Sequence, residues 1–270
     1  MIPAPFDYVR ASSVDNALEL LAGHDEDAKL LAGGHSLLPM MKVRLVMPST
    51  LIDIGGLDEL RGVTVDGDDL VIGGATPHAV VAASELVRSD APLLAHSAGQ
   101  VGDPQVRHRG TIGGSLAHAD PAADLPMAVV ALGATLELRG PDGARRVSAD
   151  DFFTGYFETA LQPGELLTAV RVPRRPGVTW GYQKFTRRAN DWAVVGVAAI
   201  AGRVAMANMG AAPIRARAAE QALADGADAA AAAALAAEGT EPGSDMHADA
   251  EFRQHLARVL TRRALNGEVG

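Results

Sequence analysis

The segment from Leu30 to Lys42, LLAGGHSLLPMMK, constrains the fold of this chain more than any other. An apolar run over Lys29 to Ala32 is typical of a short buried strand. The run ends at Gly33-Gly34, and Ser36 then stands where a helix over residues 37–45 would take its N-cap. A strand, a tight glycine turn and a helix start present backbone N–H groups to an anion such as a phosphate. Glycine pairs also serve plain strand–helix packing, so both interpretations stay open for the segment alone.

The residues around this segment predict a small α/β unit over residues 1–54. Ser13 can cap a helix over Val14 to Ala22, and a second strand over Thr50 to Ile54 follows the segment. A strand–helix–strand order of this kind favours two parallel strands.

Residues 55–176 predict a second unit of strands and helices. Asp66-Gly67 is typical of a hairpin turn, and Thr76 with Pro77 indicates a helix start. The predicted strands are 62–65, 69–73, 134–139, 145–148 and 165–172, and the predicted helices are 76–87, 92–101 and 125–132. Between the last two helices, residues 102–124 show little periodicity, and we predict a long loop of the kind that is usually functional or disordered.

Residues 177–270 predict a third unit. Its predicted strands are 180–186, 192–200 and 203–209, the last two forming a hairpin, and its predicted helices are 215–224, 227–238 and 244–265. Residues 226–238 are nearly all alanine, which suits either an ordinary packed helix or a solvated linker helix, and we favour the ordinary helix.

Composition excludes several classes of function. A net charge of −9 over 270 residues argues against nucleic acid as a partner. The chain has no cysteine, so it cannot supply a disulfide, a cysteine nucleophile or the thiolates of an iron–sulfur cluster. It has no apolar run long enough to span a bilayer and no basic-then-apolar leader at its N-terminus, so we expect a cytoplasmic protein without a transmembrane segment.

A second glycine motif, Thr111-Ile112-Gly113-Gly114-Ser115, changes the interpretation of the first. Two glycine turns in adjacent α/β units can hold the two halves of one pyrophosphate, and Asp124 then offers a carboxylate for a sugar hydroxyl. Neither motif is the dinucleotide fingerprint Gly-x-Gly-x-x-Gly or a P-loop, so a bound dinucleotide would need another architecture.

Both motifs resemble the FAD-binding motifs of the medium, flavin-carrying subunit of molybdenum hydroxylases, the xanthine dehydrogenase and aerobic carbon monoxide dehydrogenase enzymes. The resemblance extends from Pro5-Phe6-Asp7-Tyr8 through the GDPQVRHRG lead-in at 102–110 to the C-terminal segment 244–265. It implies an α+β protein with the FAD-binding fold of the vanillyl-alcohol oxidase (PCMH) type. Two α/β subdomains, 1–54 and 55–176, would grip the cofactor. A C-terminal domain of sheet and helices, 177–270, would be of the CO dehydrogenase flavoprotein type.

The resemblance also implies a set of FAD-binding residues. They are Ala32, Gly33, Gly34, His35 and Ser36 in the first motif, Thr111, Ile112, Gly113, Gly114 and Ser115 in the second, and Val101, Asp124, Leu167 and Lys184 elsewhere. Leu167 and Lys184 match positions near the isoalloxazine ring. The chain departs from the family pattern at Ala201-Gly202-Arg203, where the strand turn is shorter than expected.

The function implied by the resemblance is electron transfer. A large subunit would oxidise substrate at a molybdenum cofactor, and a small subunit would pass the electrons through [2Fe–2S] clusters. FAD on this chain would deliver them to an external acceptor, in an assembly expected to be a dimer of heterotrimers. The missing cysteines agree with clusters on another chain. We expect no catalytic acid or base and no metal here.

Several residues carry alternative interpretations. Lys184 could place positive charge near the flavin or be a solvated surface lysine. Asp124 could bind ribose, cap the helix after it, or both. Trp192 and Tyr182 could contact the flavin, although core packing is commoner for strand aromatics.

A charged stretch and a group of histidines also need interpretation. The sequence Arg107-His108-Arg109 could bind an anion or dock a partner, although a solvated turn is slightly favoured. A metal on His35, His96, His108 and His118 with Asp120 and Asp124 fits no standard ligand spacing.

Two other functions remain possible from the sequence. One is a self-contained flavoprotein oxidase, for which about 90 C-terminal residues look small as a substrate domain. The other is a nucleotide-binding or scaffold subunit that has lost FAD, against which the intact glycines argue.

Overall fold

The computed structural model describes residues 2–24 and 27–270. The strands are β1 (Asp7–Arg10), β2 (Ala28–Leu31), β3 (Thr50–Asp53), β4 (Val63–Asp66), β5 (Asp69–Gly73), β6 (Thr135–Gly140), β7 (Gly143–Ser148), β8 (Phe153–Gly155), β9 (Glu158–Thr159), β10 (Leu166–Pro173), β11 (Trp180–Phe185), β12 (Val195–Ile200), β13 (Arg203–Ala207) and β14 (Ile214–Arg215). The helices are α1 (Val14–Gly23), α2 (Leu37–Lys42), α3 (His78–Ala83), α4 (Glu85–Asp90), α5 (Pro92–Gly99), α6 (Pro104–Arg109), α7 (Ile112–His118), α8 (Asp124–Leu132), α9 (Ala149–Phe152), α10 (Arg217–Ala224), α11 (Ala229–Ala234) and α12 (Ala250–Leu265). No helix in these described ranges combines the length and the apolar character that crossing a bilayer requires.

The first sheet is parallel, with strand order β1-β3-β2, and it confirms the predicted pairing of the strands on either side of α2. The edge strand β1 was not predicted from the sequence, and it pairs with β3 from Asp7 opposite Thr50 onwards. Ser13 caps α1 as predicted, because its side chain accepts a hydrogen bond of 3.0 Å from the Asn16 backbone N–H.

The helix after the first glycine pair differs from its prediction in two ways. Ser36 stands at the predicted N-cap position, but its backbone is already helical and its side chain makes no capping hydrogen bond. The helix also ends at Lys42, three residues earlier than predicted, because Arg44 adopts a left-handed conformation (φ 59°) that an α-helix cannot include.

The second sheet is antiparallel, with strand order β4-β5-β10-β6-β7. The predicted hairpin at Asp66-Gly67 joins β4 to β5. The single helix predicted over 76–87 is instead two helices, α3 and α4, because Ser84 is extended and caps the second of them. Thr76 does not cap α3; its hydroxyl exchanges hydrogen bonds with the backbone of Gly62 at 2.9 and 3.2 Å.

The segment predicted as a long loop, 102–124, contains the two short helices α6 and α7. The prediction failed because both helices are too short to show a 3.6-residue period. Each helix begins after an N-cap residue whose side chain accepts a hydrogen bond from the first turn. Asp103 accepts from the Val106 N–H, and Thr111 accepts from the Gly114 N–H.

The third sheet has the order β11-β12-β13-β14, with the predicted hairpin between β12 and β13. The second predicted strand begins at Val195 instead of residue 192, and the last helix begins at Ala250, after the N-cap Asp249, instead of residue 244. Helix α12 packs on β11 and β12.

Helix α8 joins the second and third sheets into one core. Every residue from Asp124 to Leu132 is buried. The same hydrophobic cluster contains Leu136 and Val170 of the second sheet and Ala198 and Ala205 of the third. This packing fixes the position of Asp124, at the start of α8, relative to strand β11.

Candidate functional site

A cavity of about 510 Å³ lies among residues from all three large sheets or from the segments next to them. The FAD-binding residues predicted from the sequence line it, with one exception: Ala32, Gly33, Gly34, His35, Ser36, Val101, Thr111, Gly113, Gly114, Ser115, Asp124, Leu167 and Lys184. The exception is Ile112, which is fully buried in the core and whose N–H donates to the Thr76 carbonyl at 3.0 Å.

The first glycine segment presents unpaired backbone donors to this cavity. The N–H groups from Gly33 to Leu37 donate no hydrogen bond to any described residue. Gly34 has φ +77°, a conformation that glycine adopts without strain. A Cβ on Gly33 would collide with the carbonyl oxygen of Arg109 and with Gly110, so this residue is glycine for packing. The segment therefore serves both purposes that its sequence allowed, close packing and the presentation of donors to an anion.

The second glycine motif is built differently from its prediction. Gly113 and Gly114 lie in the first turn of helix α7, and not in a turn after a strand. Their N–H groups already have protein acceptors, since Gly113 donates to the Gly74 carbonyl at 2.8 Å and Gly114 to Thr111 Oγ1 at 3.1 Å. The two motifs are thus unequal, because the N–H groups of the first are unpaired and those of the two glycines of the second are not.

A buried polar network lies at the wall formed by α8 and β11. Lys184 Nζ is 2.9 Å from one carboxylate oxygen of Asp124, and the Tyr182 hydroxyl donates to the other at 2.5 Å. Lys184 also donates to the Gln100 carbonyl at 3.3 Å. The Lys184 and Asp124 side chains are only 9% and 4% exposed. Lys184 is therefore not a solvated surface lysine, and its charge is balanced by Asp124.

The capping interpretation of Asp124 does not describe its contacts. The N-cap of α8 is Ala123, and the Asp124 side chain makes no capping hydrogen bond. Its two carboxylate oxygens are instead engaged by Tyr182 and Lys184. Burial raises the pKa of Asp124, and the Lys184 charge and the Tyr182 hydrogen bond oppose that rise. Burial, followed by the nearby carboxylate, raises the pKa of Tyr182 well above its usual value.

Val101 and Leu167 are two further predicted residues in the wall of the cavity. The Val101 carbonyl accepts a hydrogen bond of 3.1 Å from Arg107 Nη1, which also donates to Gly102. Arg107 is therefore turned inward, and of the basic stretch 107–109 only His108 and Arg109 are exposed, in the last turn of a helix. Leu167 lies beside a register shift in β10, and its side chain is 5% exposed.

The two aromatic residues of the third sheet region have different environments. Tyr182 is fully buried in the core, in agreement with the interpretation favoured from the sequence. Trp192 is 57% exposed and lines the cavity, so core packing was wrong for it. The error arises because 192 lies before the start of β12 instead of inside the strand.

The cavity also contains polar residues that the sequence did not single out as cofactor ligands. They are His78, His118, Asp120, Glu165, Asn190 and Asp191. In the sequence, Gly74, between strand β5 and helix α3, could have indicated that the backbone approaches a ligand closely at this wall of the cavity. Within the described residues, no group of three histidine or carboxylate side chains has an arrangement that could hold a metal ion.

Comparison with known proteins places both halves of the chain. Residues 4–175 match a family described as the FAD binding domain in molybdopterin dehydrogenase, and residues 180–267 match the CO dehydrogenase flavoprotein C-terminal domain. The chain is 40% identical to the carbon monoxide dehydrogenase medium chain of Hydrogenophaga pseudoflava, over 98% of both chains. It is 37% identical to the 6-hydroxypseudooxynicotine dehydrogenase complex subunit alpha of Paenarthrobacter nicotinovorans, over 98% of this chain and 95% of the relative.

A solved structure matches the whole fold. It is a carbon monoxide dehydrogenase from Hydrogenophaga pseudoflava that lacks the Mo-pyranopterin moiety of the molybdenum cofactor. The TM-score is 0.96 at 43% identity, and the match covers 99% of this chain and 98% of the other.

Proposed function

Because this chain belongs to the FAD-binding medium subunits of molybdenum hydroxylases of the carbon monoxide dehydrogenase and xanthine dehydrogenase type, we propose that it transfers electrons from a partner subunit to an external acceptor. The chain is an oxidoreductase subunit with an FAD-binding domain followed by a flavoprotein C-terminal domain. The proposal concerns where the electrons come from, where they go and which residues hold the cofactor.

The residues of the cavity fit FAD. The volume of the cavity lies in the range of about 300–1,000 Å³ that is usual for small-molecule sites. The unpaired N–H groups of Gly33 to Leu37 suit a diphosphate, because consecutive backbone donors form an anion-binding concavity. This group of donors is the observation that carries the assignment of the cofactor site.

The proposed FAD-binding residues lie on different walls of the cavity, and each wall binds a different part of the cofactor. The first glycine segment, Ala32 to Ser36, binds the diphosphate. The second motif, at the start of α7, supports that segment and offers the side chain of Ser115. Leu167 and Lys184 lie on the walls that the family resemblance assigns to the isoalloxazine ring, and Val101 is a further FAD contact. Asp124 orients Lys184 through their ion pair. When bound, FAD supplies redox chemistry in one-electron and two-electron steps.

Composition and the relatives support the proposed direction of electron flow. The chain has no cysteine, so [2Fe–2S] clusters ligated by cysteine must belong to a partner. Relatives of similar identity are named for carbon monoxide and for 6-hydroxypseudooxynicotine, which suggests that substrate is chosen on another subunit. We therefore infer a small [2Fe–2S] subunit and a large molybdenum-cofactor subunit, assembled as a dimer of heterotrimers.

A cytoplasmic location is part of the proposal, and cell fractionation would test it.

Reconstitution tests the proposal directly. The chain is purified alone and its visible spectrum is recorded with added FAD. It is then co-expressed with the genes for its partner chains, and dye reduction by the complex is compared with and without this chain. We expect stoichiometric flavin on the chain alone, no turnover of an organic substrate by it, and dye reduction that depends on it in the complex. A chain that takes up no FAD contradicts the cofactor assignment, and a chain that oxidises substrate unaided would be a self-contained oxidase.

A further inference from the structure

His78, the first residue of α3, lies in the wall of the cavity and has no role in the site as described above. The residue is only 4% exposed. Its Nδ1 is buried and has no hydrogen-bond partner among the described residues. Burying a polar atom without a partner costs free energy, so such an atom calls for an explanation.

The Nε2 edge of the ring is left open by a glycine. A Cβ on Gly110 would lie 2.8 Å from His78 Nε2. Gly110 has φ −58° and ψ 139°, which any residue can adopt, so the glycine is required by space and not by conformation. Gly110 in turn packs against Gly33. The Nε2 edge of His78 is therefore close to the segment that presents the free N–H groups.

The ring is neutral at physiological pH. Burial lowers the pKa of His78 to about 4, and the charges of His35 and Arg107 act in the same direction. Among the other charged or titratable groups of the helices packed against α3, Asp90 of α4 is paired with Arg174, Glu85 and Arg88 of α4 are exposed, and His96 of α5 contacts the Trp180 ring. A neutral imidazole carries its proton on one nitrogen. If the proton is on Nε2, the buried Nδ1 is an acceptor without a donor. With the proton on Nδ1, the buried group would be an N–H without an acceptor, which is rarer in proteins.

This inference rests on the proposed FAD site. We propose that His78 is a further cofactor-binding residue, whose Nε2–H donates a hydrogen bond to an oxygen of the FAD diphosphate. The diphosphate is the part of FAD that the adjoining N–H groups of Gly33 to Leu37 are suited to bind. Arg107 also places positive charge near this ring.

Three substitutions of His78 test the proposal by flavin affinity. Gln places an amide nitrogen near the position of Nε2, Asn places one near Nδ1, and Phe supplies no donor. The dissociation constant for FAD is measured by flavin fluorescence on the apoprotein, and riboflavin, which has no phosphate, is the comparison ligand. We expect H78F and H78N to weaken FAD binding about tenfold or more, H78Q to stay within about threefold of wild type, and riboflavin binding to be unchanged.

The controls separate this inference from the proposed function. Failure of the wild-type chain to bind FAD contradicts the function itself. If wild type binds FAD and H78F and H78N bind it equally tightly, or if all three variants lose FAD and riboflavin alike, His78 has only a structural role. Apoprotein melting temperatures identify variants that fail to fold. In that case Gly110→Ala, which retains His78 but covers Nε2 with a methyl group, is expected to weaken FAD binding about tenfold, and unchanged affinity overturns the proposal.

The pH dependence provides a second readout. Because His78 is neutral above about pH 5, the ratio of the H78F and wild-type dissociation constants is expected to be constant between pH 6 and pH 8. A ratio that increases toward pH 6 would show a charged imidazole, and would overturn the neutral donor.

Discussion

Lys184 and Asp124 form an ion pair of 2.9 Å across the junction between the third sheet and helix α8, and both side chains line the cavity. The pair is 60 residues apart in sequence and almost completely buried. A buried pair of this kind contributes little net stability, but removing one partner leaves an uncompensated charge.

Replacing Lys184 with Met is expected to destabilise the protein in a pH-dependent way. At pH 8 the loss should be about 3–5 kcal/mol, or on the order of 10 °C in melting temperature. Burial already raises the pKa of Asp124, and without Lys184 it rises further. The native state then binds a proton that the unfolded state releases near pH 4, so the contribution of Asp124 to stability is greatest below that pH and falls as the pH increases. Melting curves at pH 5.5, 7 and 8.5 measure the effect.

The matched control for this experiment is the double variant Asp124→Asn/Lys184→Met. Asparagine removes the charge and still accepts a hydrogen bond from Tyr182. We expect the double variant to be more stable than Lys184→Met at pH 8. Equal stability of the single variant at all three pH values would contradict an uncompensated Asp124 charge.

Ser13 and Ser36 both precede a helix, yet their substitution by Ala should differ in effect. Ser13→Ala removes a capping hydrogen bond and is expected to cost about 1 kcal/mol. Ser36→Ala removes no cap and should change the stability of the apoprotein by less than about 0.5 kcal/mol, while weakening FAD binding. Denaturant unfolding without FAD, followed by FAD titration, measures both. A Ser36→Ala loss as large as that of Ser13→Ala would indicate a capping role.

Gly113→Ala is expected to destabilise the apoprotein, because its Cβ would lie 2.6 Å from the Gly74 carbonyl oxygen. The contact is with backbone that cannot move easily, and overpacking of this kind costs about 1–3 kcal/mol. Gly99→Ala is the control, since nothing lies within 4 Å of its Cβ, and it should be neutral or stabilising by up to about 1 kcal/mol. Thermal melts without FAD distinguish packing from cofactor contact. A normal Gly113→Ala melt with lost FAD binding would favour direct cofactor contact.

Trp192→Ala should mainly weaken FAD binding, whereas Tyr182→Phe should mainly lower stability. Trp192 is exposed and lines the cavity, so its removal should change stability by less than about 0.5 kcal/mol and weaken FAD binding. Tyr182→Phe leaves one Asp124 oxygen without a donor, which should cost about 1–3 kcal/mol. Melting curves and fluorescence titration of each variant test the contrast, which fails if Trp192→Ala is the less stable of the two.

Local chemistry made part of this fold predictable from the sequence. The cap at Ser13 and the hairpin at Asp66-Gly67 each depend on residues within a few positions of one another, and the parallel pairing of β2 and β3 follows from the strand–helix–strand order of one short segment. The break between α3 and α4 was missed because Ser84 can be either a helix residue or a cap, and tertiary packing decides between them.

The site was predictable in its membership but not in its contacts. The family resemblance identified residues that line the cavity, apart from Ile112. It did not show that Asp124, Tyr182 and Lys184 form one network, since no sequence pattern relates residues so far apart. Nor did it indicate His78, whose position depends on the missing Cβ of Gly110.

The donors at Gly33 to Leu37 belong to the main chain, and this limits how the site can change. Every amino acid except proline carries the same N–H, so most side-chain replacements leave the number of donors unaltered. The donors are lost only if the backbone changes its path, and that path depends on the contact between Gly33 and Gly110. Cofactor binding and correct folding of this segment are therefore linked. Bound FAD stabilises the folded segment, and a substitution that destabilises the segment weakens FAD binding.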